Sequence, residues 1–224
     1  MRISAIIPVL NEEENIGPAV RQLQPGCCEV IVSDGGSRDN TLRLARGLAC
    51  RVLSGPPGRG GQLGRAAAEA RGDILLFLHA DTRLPRDFDL LIRDALSAPG
   101  ARFGAFSLGL VPRNRNTDLI SFGANLRTRL FSLPYGDQAV FVTRSAYELS
   151  GGFRDIPVLE DVDLVLRLRK AGRFSPAAGR VESSSRRWQK EGALKVTLRN
   201  YLLLALFLCG VPAARLARWY PRHG

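Results

Sequence analysis

The chain is 224 residues long and 45% hydrophobic, which suits one large domain, or one domain with an appendage, around a substantial core. Its formal net charge of +11 is uneven: from Arg180 onward nine basic residues face two acids, Glu182 and Glu191. The four cysteines (Cys27, Cys28, Cys50, Cys209) form neither CxxC nor a Cys/His cluster, which argues against a zinc site, and a chain of this length needs no disulfide staple, so a reducing compartment is expected.

In chain order, "RISAIIPVL" opens directly on a strand with no basic leader or cleavage site before it, so no signal peptide is expected. Residues 12 to 24 predict a helix, "EVIVSD" a second strand, and residues 40 to 48 a second helix. "CRVLSG" predicts a short third strand and the Ala-rich residues 60 to 71 a third helix. "DILLFLHAD" predicts the next strand, apolar enough to be buried on both faces. Strands alternating with helices predict an α/β fold: a Rossmann-like, predominantly parallel central sheet with helices on both faces and its strand ends along one edge. A helix opened by Pro85 and Asp87 follows, to about Leu96. "ARFGAFSLGL" and "QAVFVTR" predict strands around a helix near residues 116 to 131. A polar helix starts at Glu160, "RVESSSRRW" follows, and residues 192 to 209 predict a basic, hydrophobic C-terminal helix.

Three acidic sites fall at loop ends, where open α/β sheets bind ligands. In "VSDGGSRDNT", Asp34 ends a strand and can accept hydrogen bonds from a ribose or base, while Gly35 and Gly36 let backbone approach a ligand. An ordinary βα turn, with Asp39 or Asn40 capping the next helix, uses the same residues. Neither GxGxxG nor GxxxxGK[ST] is present, so there is no dinucleotide fingerprint and no P-loop. Asp81 follows the apolar strand and offers hard oxygen to Mg²⁺ or Mn²⁺. His79, two residues earlier on an extended segment, points the same way; it is either a second ligand suited to Mn²⁺ or a core histidine donating to a backbone carbonyl. A haloacid dehalogenase-type phosphatase would need an aspartate where His79 stands and is rejected. Glu160, Asp161 and Asp163 crowd a helix start, where the dipole favours acids; they are either an acid-rich first turn or the source of a general base.

Taken together, "IIPVLNEEENI", "VSDGGSRDNT", "GRGGQLGRAAAEARGDILLFLHADT", "GGF" and "LEDVDLVLRL" resemble, in order and over about residues 3 to 190, the family 2 glycosyltransferases with the GT-A fold. The resemblance implies a non-processive, inverting transfer of sugar from a nucleoside diphosphate donor to a hydroxyl acceptor, assisted by Mg²⁺ or Mn²⁺. It places Pro8, Asn11 and Glu12 at the nucleotide end of the first strand, Asp34 on the base or ribose, and Arg59 near the nucleotide. Asp81 matches the last acid of the family's DXD metal motif and Asp161 its catalytic base, with Glu160 and Asp137 on the acceptor side. The sequence departs from the family in three places. The metal motif is His-Ala-Asp, "DDGS" has become Asp34-Gly35-Gly36-Ser37, and Ser184 replaces the Gln of QxxRW. The last departure, with the lack of multiple spans, argues against a processive synthase and leaves Arg187 as either a diphosphate contact or a surface arginine. Small size and "YGDQAVF" most resemble a compact bacterial subfamily labelled as arsenosugar-biosynthesis transferases.

On this reading residues 1 to 190 are the GT-A domain and 191 to 224 an appendage. Lys195 and Arg199 interrupt the apolar helix, leaving nine uninterrupted residues from Tyr201 to Cys209 where a membrane span wants about 20. The helix therefore packs on the domain or on a second subunit, or it lies on an anionic membrane with Trp219 and the flanking arginines. A peripheral place on the inner face of the membrane would follow from the second option; otherwise the protein is expected in the cytoplasm. Only Lys170, Lys190 and Lys195 are lysines, so a general arginine bias accounts for the basic excess equally well. Two rivals are weaker. A sugar-1-phosphate nucleotidyltransferase wants a basic Gly-rich loop where "NEEENIG" is acidic, and a nucleic-acid or membrane-binding protein without catalysis would leave the acids unused; no RRM or KH signature is present.

Overall fold

The computed structural model describes residues 1–48 and 50–220; Arg222, one of the nine basic residues, lies outside them. The first half runs β1 (Ile3–Val9), α1 (Glu13–Leu23), β2 (Glu29–Asp34), α2 (Thr41–Arg46), β3 (Arg51–Ser54), α3 (Arg59–Glu69), β4 (Ile74–Phe77) and α4 (Phe88–Ser97). The second half runs β5 (Ala101–Gly104), β6 (Ser107–Val111), α5 (Arg115–Phe131), β7 (Phe141–Thr143), α6 (Arg144–Leu149), α7 (Glu160–Ala171), β8 (Arg173–Phe174) and β9 (Arg180–Ser184). It ends on α8 (Arg186–Glu191), α9 (Ala193–Leu208) and α10 (Ala213–Leu216).

Seven strands form one sheet in the order β3-β2-β1-β4-β7-β5-β8, and β6 pairs with β9 in a small parallel ribbon. β3, β2, β1 and β4 are parallel, as the alternating pattern predicts. The alternation of side chains along β1 builds a core on each face of the sheet. Ile7 and Val9 join Ile16, Val20 and Leu23 of α1, whose apolar residues recur at helical spacing. Ile6 joins Leu63 and Ala66 of α3 and Val162 and Leu168 of α7 on the other face.

Four expectations are corrected. β7 runs antiparallel to β4, with Leu76 opposite Phe141, so the strand ends do not all share one edge. "ARFGAFSLGL" is two strands in two sheets. At Gly104 a Cβ would lie 2.0 Å from the Ser175 carbonyl oxygen, and Phe106 N–H leaves the sheet to donate to Gln138 O (3.0 Å). "DILLFLHAD" is a strand only over Ile74–Phe77, with Leu78 N–H still donating to Ile6 O (3.0 Å). His79 to Thr82 make a turn closed by Thr82 N–H to His79 O (3.1 Å), so His79 and Asp81 do not share the side of an extended segment. The second helix is shorter than residues 40 to 48 because Gly47 closes it onto Leu44 and Ala45.

The C-terminal helix packs on the main body through Leu204 and Phe207, and its Leu203 joins Val158 and Leu216 in a third cluster. No helix among the described residues is long and apolar enough to cross a membrane.

Candidate active site

The loops after β1 and β2 are tied into one surface. Asn11, at φ 55°, takes a hydrogen bond from Arg38 N–H on its side-chain oxygen (2.9 Å), and its own N–H donates to Ser37 Oγ (2.9 Å). Glu12 N–H donates to Thr41 Oγ1 (2.8 Å), which leaves the Glu12 carboxylate to Asn15 and Arg186. Asp34 is fully buried, and its carboxylate accepts from Gly36 N–H (2.8 Å), Ser37 N–H and Ser37 Oγ. It holds the Gly35–Ser37 turn rather than presenting a free carboxylate to a cavity. Beneath that turn the buried Gln62 of α3 donates to Val9 O (2.9 Å) and Ser33 O (2.7 Å), fixing the ends of β1 and β2 together.

Asp161 sits in the first turn of α7, where unpaired N–H groups and the helix dipole favour an acid. Its Oδ2 accepts from Gly136 N–H (2.7 Å) and its Oδ1 from Val162 N–H (2.8 Å). Gly136 is close-packed here: a Cβ would lie 2.9 Å from His79 Nε2 and force that ring to shift. The neighbouring Glu160 is turned into the protein, 3% exposed, with Oε1 2.7 Å from Arg59 Nε. Burial pushes the Glu160 pKa up and the Arg59 cation opposes it, while Glu160 in turn raises that of Arg59. The third acid, Asp163, is committed to Arg167 (2.6 Å) and Arg154 (3.4 Å) and is structural. So the two adjacent acids of the Glu-Asp pair have separate duties: one orients Arg59 and the other faces a cavity.

That cavity is lined by Pro8, Arg59, His79, Gly136, Glu160 and Asp161 over a floor that includes Phe77 and Phe153. His79 Nε2 stands 3.3 Å from Arg59 NH1. A guanidinium only donates, so Nε2 is the acceptor and the ring is neutral. Burial first, and then the Arg59 charge, push the His79 pKa down to about 3. The partner is thus an arginine, where a backbone carbonyl or a metal was expected.

Asp81, on the far side of the 79–82 turn, lines an open groove with Glu14, Asn15 and Gln22 of α1. The cation beside it is Arg186, whose NH2 is 3.4 Å from Asp81 Oδ2 and 3.5 Å from Glu12 Oε2. Sequence reasoning selected Arg187 from "SSRRW". Arg187 instead turns to Tyr220, stacking 4.5 Å from the ring centre and bonding its hydroxyl, and it pairs with Glu191. Tyr220 also helps to raise the pKa of Arg59, which places this tyrosine between the two arginines. Two consecutive arginines at the start of a helix point about 100° apart, which is the signal that one of them faces elsewhere. Nothing local marks Tyr220, which is delivered by the fold.

Asp137 follows Gly136, which lines the cavity. Burial pushes its pKa up to about 6, Arg127 opposes this, and the charges of Asp161 and Asp81 add to the rise. Its Oδ1 is buried without a hydrogen-bond partner. Asp81, Asp137 and Asp161 therefore share one field, and Asp34 stands apart from it. Among the described residues no group of three or more His, Cys, Asp or Glu side chains is arranged to hold a metal ion. A hard cation here would draw on Asp81, water and substrate phosphates, a coordination usual for Mg²⁺. The unpartnered Asp137 oxygen fits such a cation.

A mostly parallel sheet with the loops after β1 and β2 joined in one surface, and acids after β4 and at the start of α7, defines a GT-A-type α/β protein. The Glycosyl transferase family 2 profile matches residues 4–123, more than half of the chain, and the chain belongs to that family. It is 37% identical over 92 residues to glucosyl-3-phosphoglycerate synthase of Mycolicibacterium paratuberculosis, covering 35% of this chain and 28% of that protein. It is 30% identical to the succinoglycan biosynthesis protein ExoA of Rhizobium meliloti, over 75% of this chain and 58% of the relative. The chain thus spans only part of the curated relatives it matches. The fold superposes with a TM-score of 0.66 on glucosyl-3-phosphoglycerate synthase of Mycobacterium tuberculosis in complex with Mn²⁺, UDP-glucose and phosphoglyceric acid, at 23% identity over 94% of this chain and 80% of that one.

Proposed function

We propose that the protein transfers a sugar from a nucleoside diphosphate donor to a hydroxyl acceptor with inversion, without processivity. The observation that carries this reading is the placement of Asp161. It is held by Gly136 N–H at a helix N-terminus and faces a cavity, while Asp81 faces the neighbouring groove across the 79–82 turn. Inversion needs the base and the leaving group on opposite sides of the sugar, and a sugar lying over that turn would meet this condition. Asp161 takes the proton of the acceptor hydroxyl as it attacks. The surface of Pro8, Asn11, Glu12 and the turn held by Asp34 receives the nucleoside. Arg59 and Arg186, with Arg187 behind Tyr220, offset negative charge on the diphosphate. Asp81, with the donor phosphates, would hold a divalent cation of the kind named for the mycobacterial neighbour, and that ion would stabilise the departing diphosphate. Glu160 keeps Arg59 in place, and Asp137 borders the acceptor.

The free thiols support action in a reducing, cytoplasmic setting. The narrower assignment to arsenosugar biosynthesis is supported by chain size and "YGDQAVF" alone. The test is a screen of UDP- and GDP-sugars with Mn²⁺ for nucleotide release, with and without acceptor extracts, on wild type and Asp161→Asn. Release that depends on Asp161 is expected. No nucleotide binding by calorimetry to well-folded protein would overturn the reading, and undiminished transfer by the variant would remove Asp161 as the base.

A further inference from the structure

α5 is turned inside out. Its buried residues are Thr117, Ser121, Ala124, Arg127 and Thr128, while Leu119, Phe122, Leu126 and Leu130 stand exposed at helical spacing. The polar side is engaged within the protein. Ser121 Oγ accepts from Leu110 N–H (3.2 Å), and Arg127 donates to Leu133 O (3.0 Å) and Gln138 Oε1 (3.2 Å). The apolar side has nothing over it in the monomer, and Phe122 is 64% exposed.

α9 lies alongside. At the seam, a Cβ on Gly123 of α5 would be 3.2 Å from Tyr201 Oη of α9. α9 uses Val196, Leu203 and Leu204 inward and leaves Leu198 and Leu202 exposed. Two neighbouring helices thus present apolar residues to solvent, more than scattered surface leucines account for. The charge around them has one sign. From Gly192 to Tyr220 there is no Asp or Glu, and the exposed cations are Lys195, Arg215 and Arg218, with Arg129 on α5. The one acid on α5, Asp118, is paired with Arg113 (3.2 Å). Trp219, 60% exposed, follows α10.

We infer that the α5–α9 face docks on an anionic lipid bilayer, lying in the interface rather than spanning it. Apolar side chains enter the boundary of the headgroups while the cations meet acidic lipid, the combination by which interfacial helices bind. A second copy of the chain is a poorer occupant, because pairing this face with itself would bring unmatched positive charge together. The docking itself assumes no transferase activity and is measured without donor, so its failure would leave the proposed function standing.

The experiment is flotation of the full chain with vesicles of phosphatidylcholine alone or mixed with phosphatidylglycerol, read also by Trp219 fluorescence in a chain carrying Trp188→Phe, so that Trp219 is its one fluorophore of this type, with the oligomeric state measured by light scattering. Wild type is expected to float with the anionic vesicles and weakly with the neutral ones, and the Trp219 emission to shift blue. Phe122→Glu with Leu198→Glu should lower binding at least tenfold. Arg129→Gln with Lys195→Gln should lower it about fivefold per charge and weaken the preference for acidic lipid. Circular dichroism melting checks that the variants fold, and the wild-type lipid dependence decides the matter if they do not. Absence of flotation with anionic vesicles, or a stable dimer that Phe122→Glu converts to monomer, would overturn the inference.

Discussion

The β1–β4 half and the α5–α9 region solve opposite burial problems. In the first, the apolar faces of strands and helices point inward, as Leu76 of β4 and Leu23 of α1 are 0% exposed. In the second, α5 buries an arginine and three hydroxyl side chains and leaves leucines and two phenylalanines in water. The difference teaches that apolar periodicity reports the presence of a helix without reporting which side the rest of the protein occupies. The inward polar face has a task, because it holds the 133–138 segment through Arg127, Thr128 and Gln138, and that segment supplies Gly136 to Asp161.

The largest effect should fall at the point where the two regions meet. Asp161→Asn should lower kcat about 10³-fold with little change in donor KM and a small fall in melting temperature, since the amide oxygen can accept from only one of Gly136 and Val162 N–H; nucleotide release and calorimetric melting check this. Truncating apolar residues then separates the regions directly. Leu76→Ala should cost about 2–5 kcal/mol in urea unfolding, whereas Leu126→Ala on the outer face of α5 should stay within about 0.5 kcal/mol. Equal costs would erase the contrast. On the inner face the ranking reverses: Arg127→Ala removes two hydrogen bonds and the stack on Tyr135 at 3.5 Å, and should destabilise by about 2–3 kcal/mol in the same measurement.

Arg186→Ala probes the nucleotide-side region, where the guanidinium stands between Glu12 and Asp81. It should raise donor KM about tenfold with a smaller effect on kcat, consistent with a lost charge contact on a phosphate. The smallest effect is a pH dependence at Asp137. Its carboxyl is raised from an ordinary 3.8 to about 6, so the folded state bears the full cost of the buried charge above pH 6. That cost fades as pH falls through 6 and is gone below 3.8, where the group is protonated in both states. Asp137→Asn should therefore melt higher than wild type at pH 7.5, and the two curves should converge near pH 4.

Much of the site was legible from local residue types. "LED" at a helix start located Glu160 and Asp161, and "GRGGQ" located Arg59 at the head of α3. The pairing of Glu160 with Arg59, some 100 residues apart, and the capture of His79 by Arg59 were not legible, because each depends on which loops the sheet brings together. Arg186 and Arg187 are chemically alike in sequence and are told apart only by the direction each takes from α8.

By itself the sequence determined the alternating strands and helices of the first half, the family likeness and the acids available for chemistry, since periodicity and turn chemistry are written in near neighbours. The direction of β7, the turn that separates His79 from Asp81 and the outward apolar face of α5 were settled by tertiary structure. Strand direction, loop closure and burial are set by contacts between residues distant in the chain, and no local pattern encodes which partner will arrive.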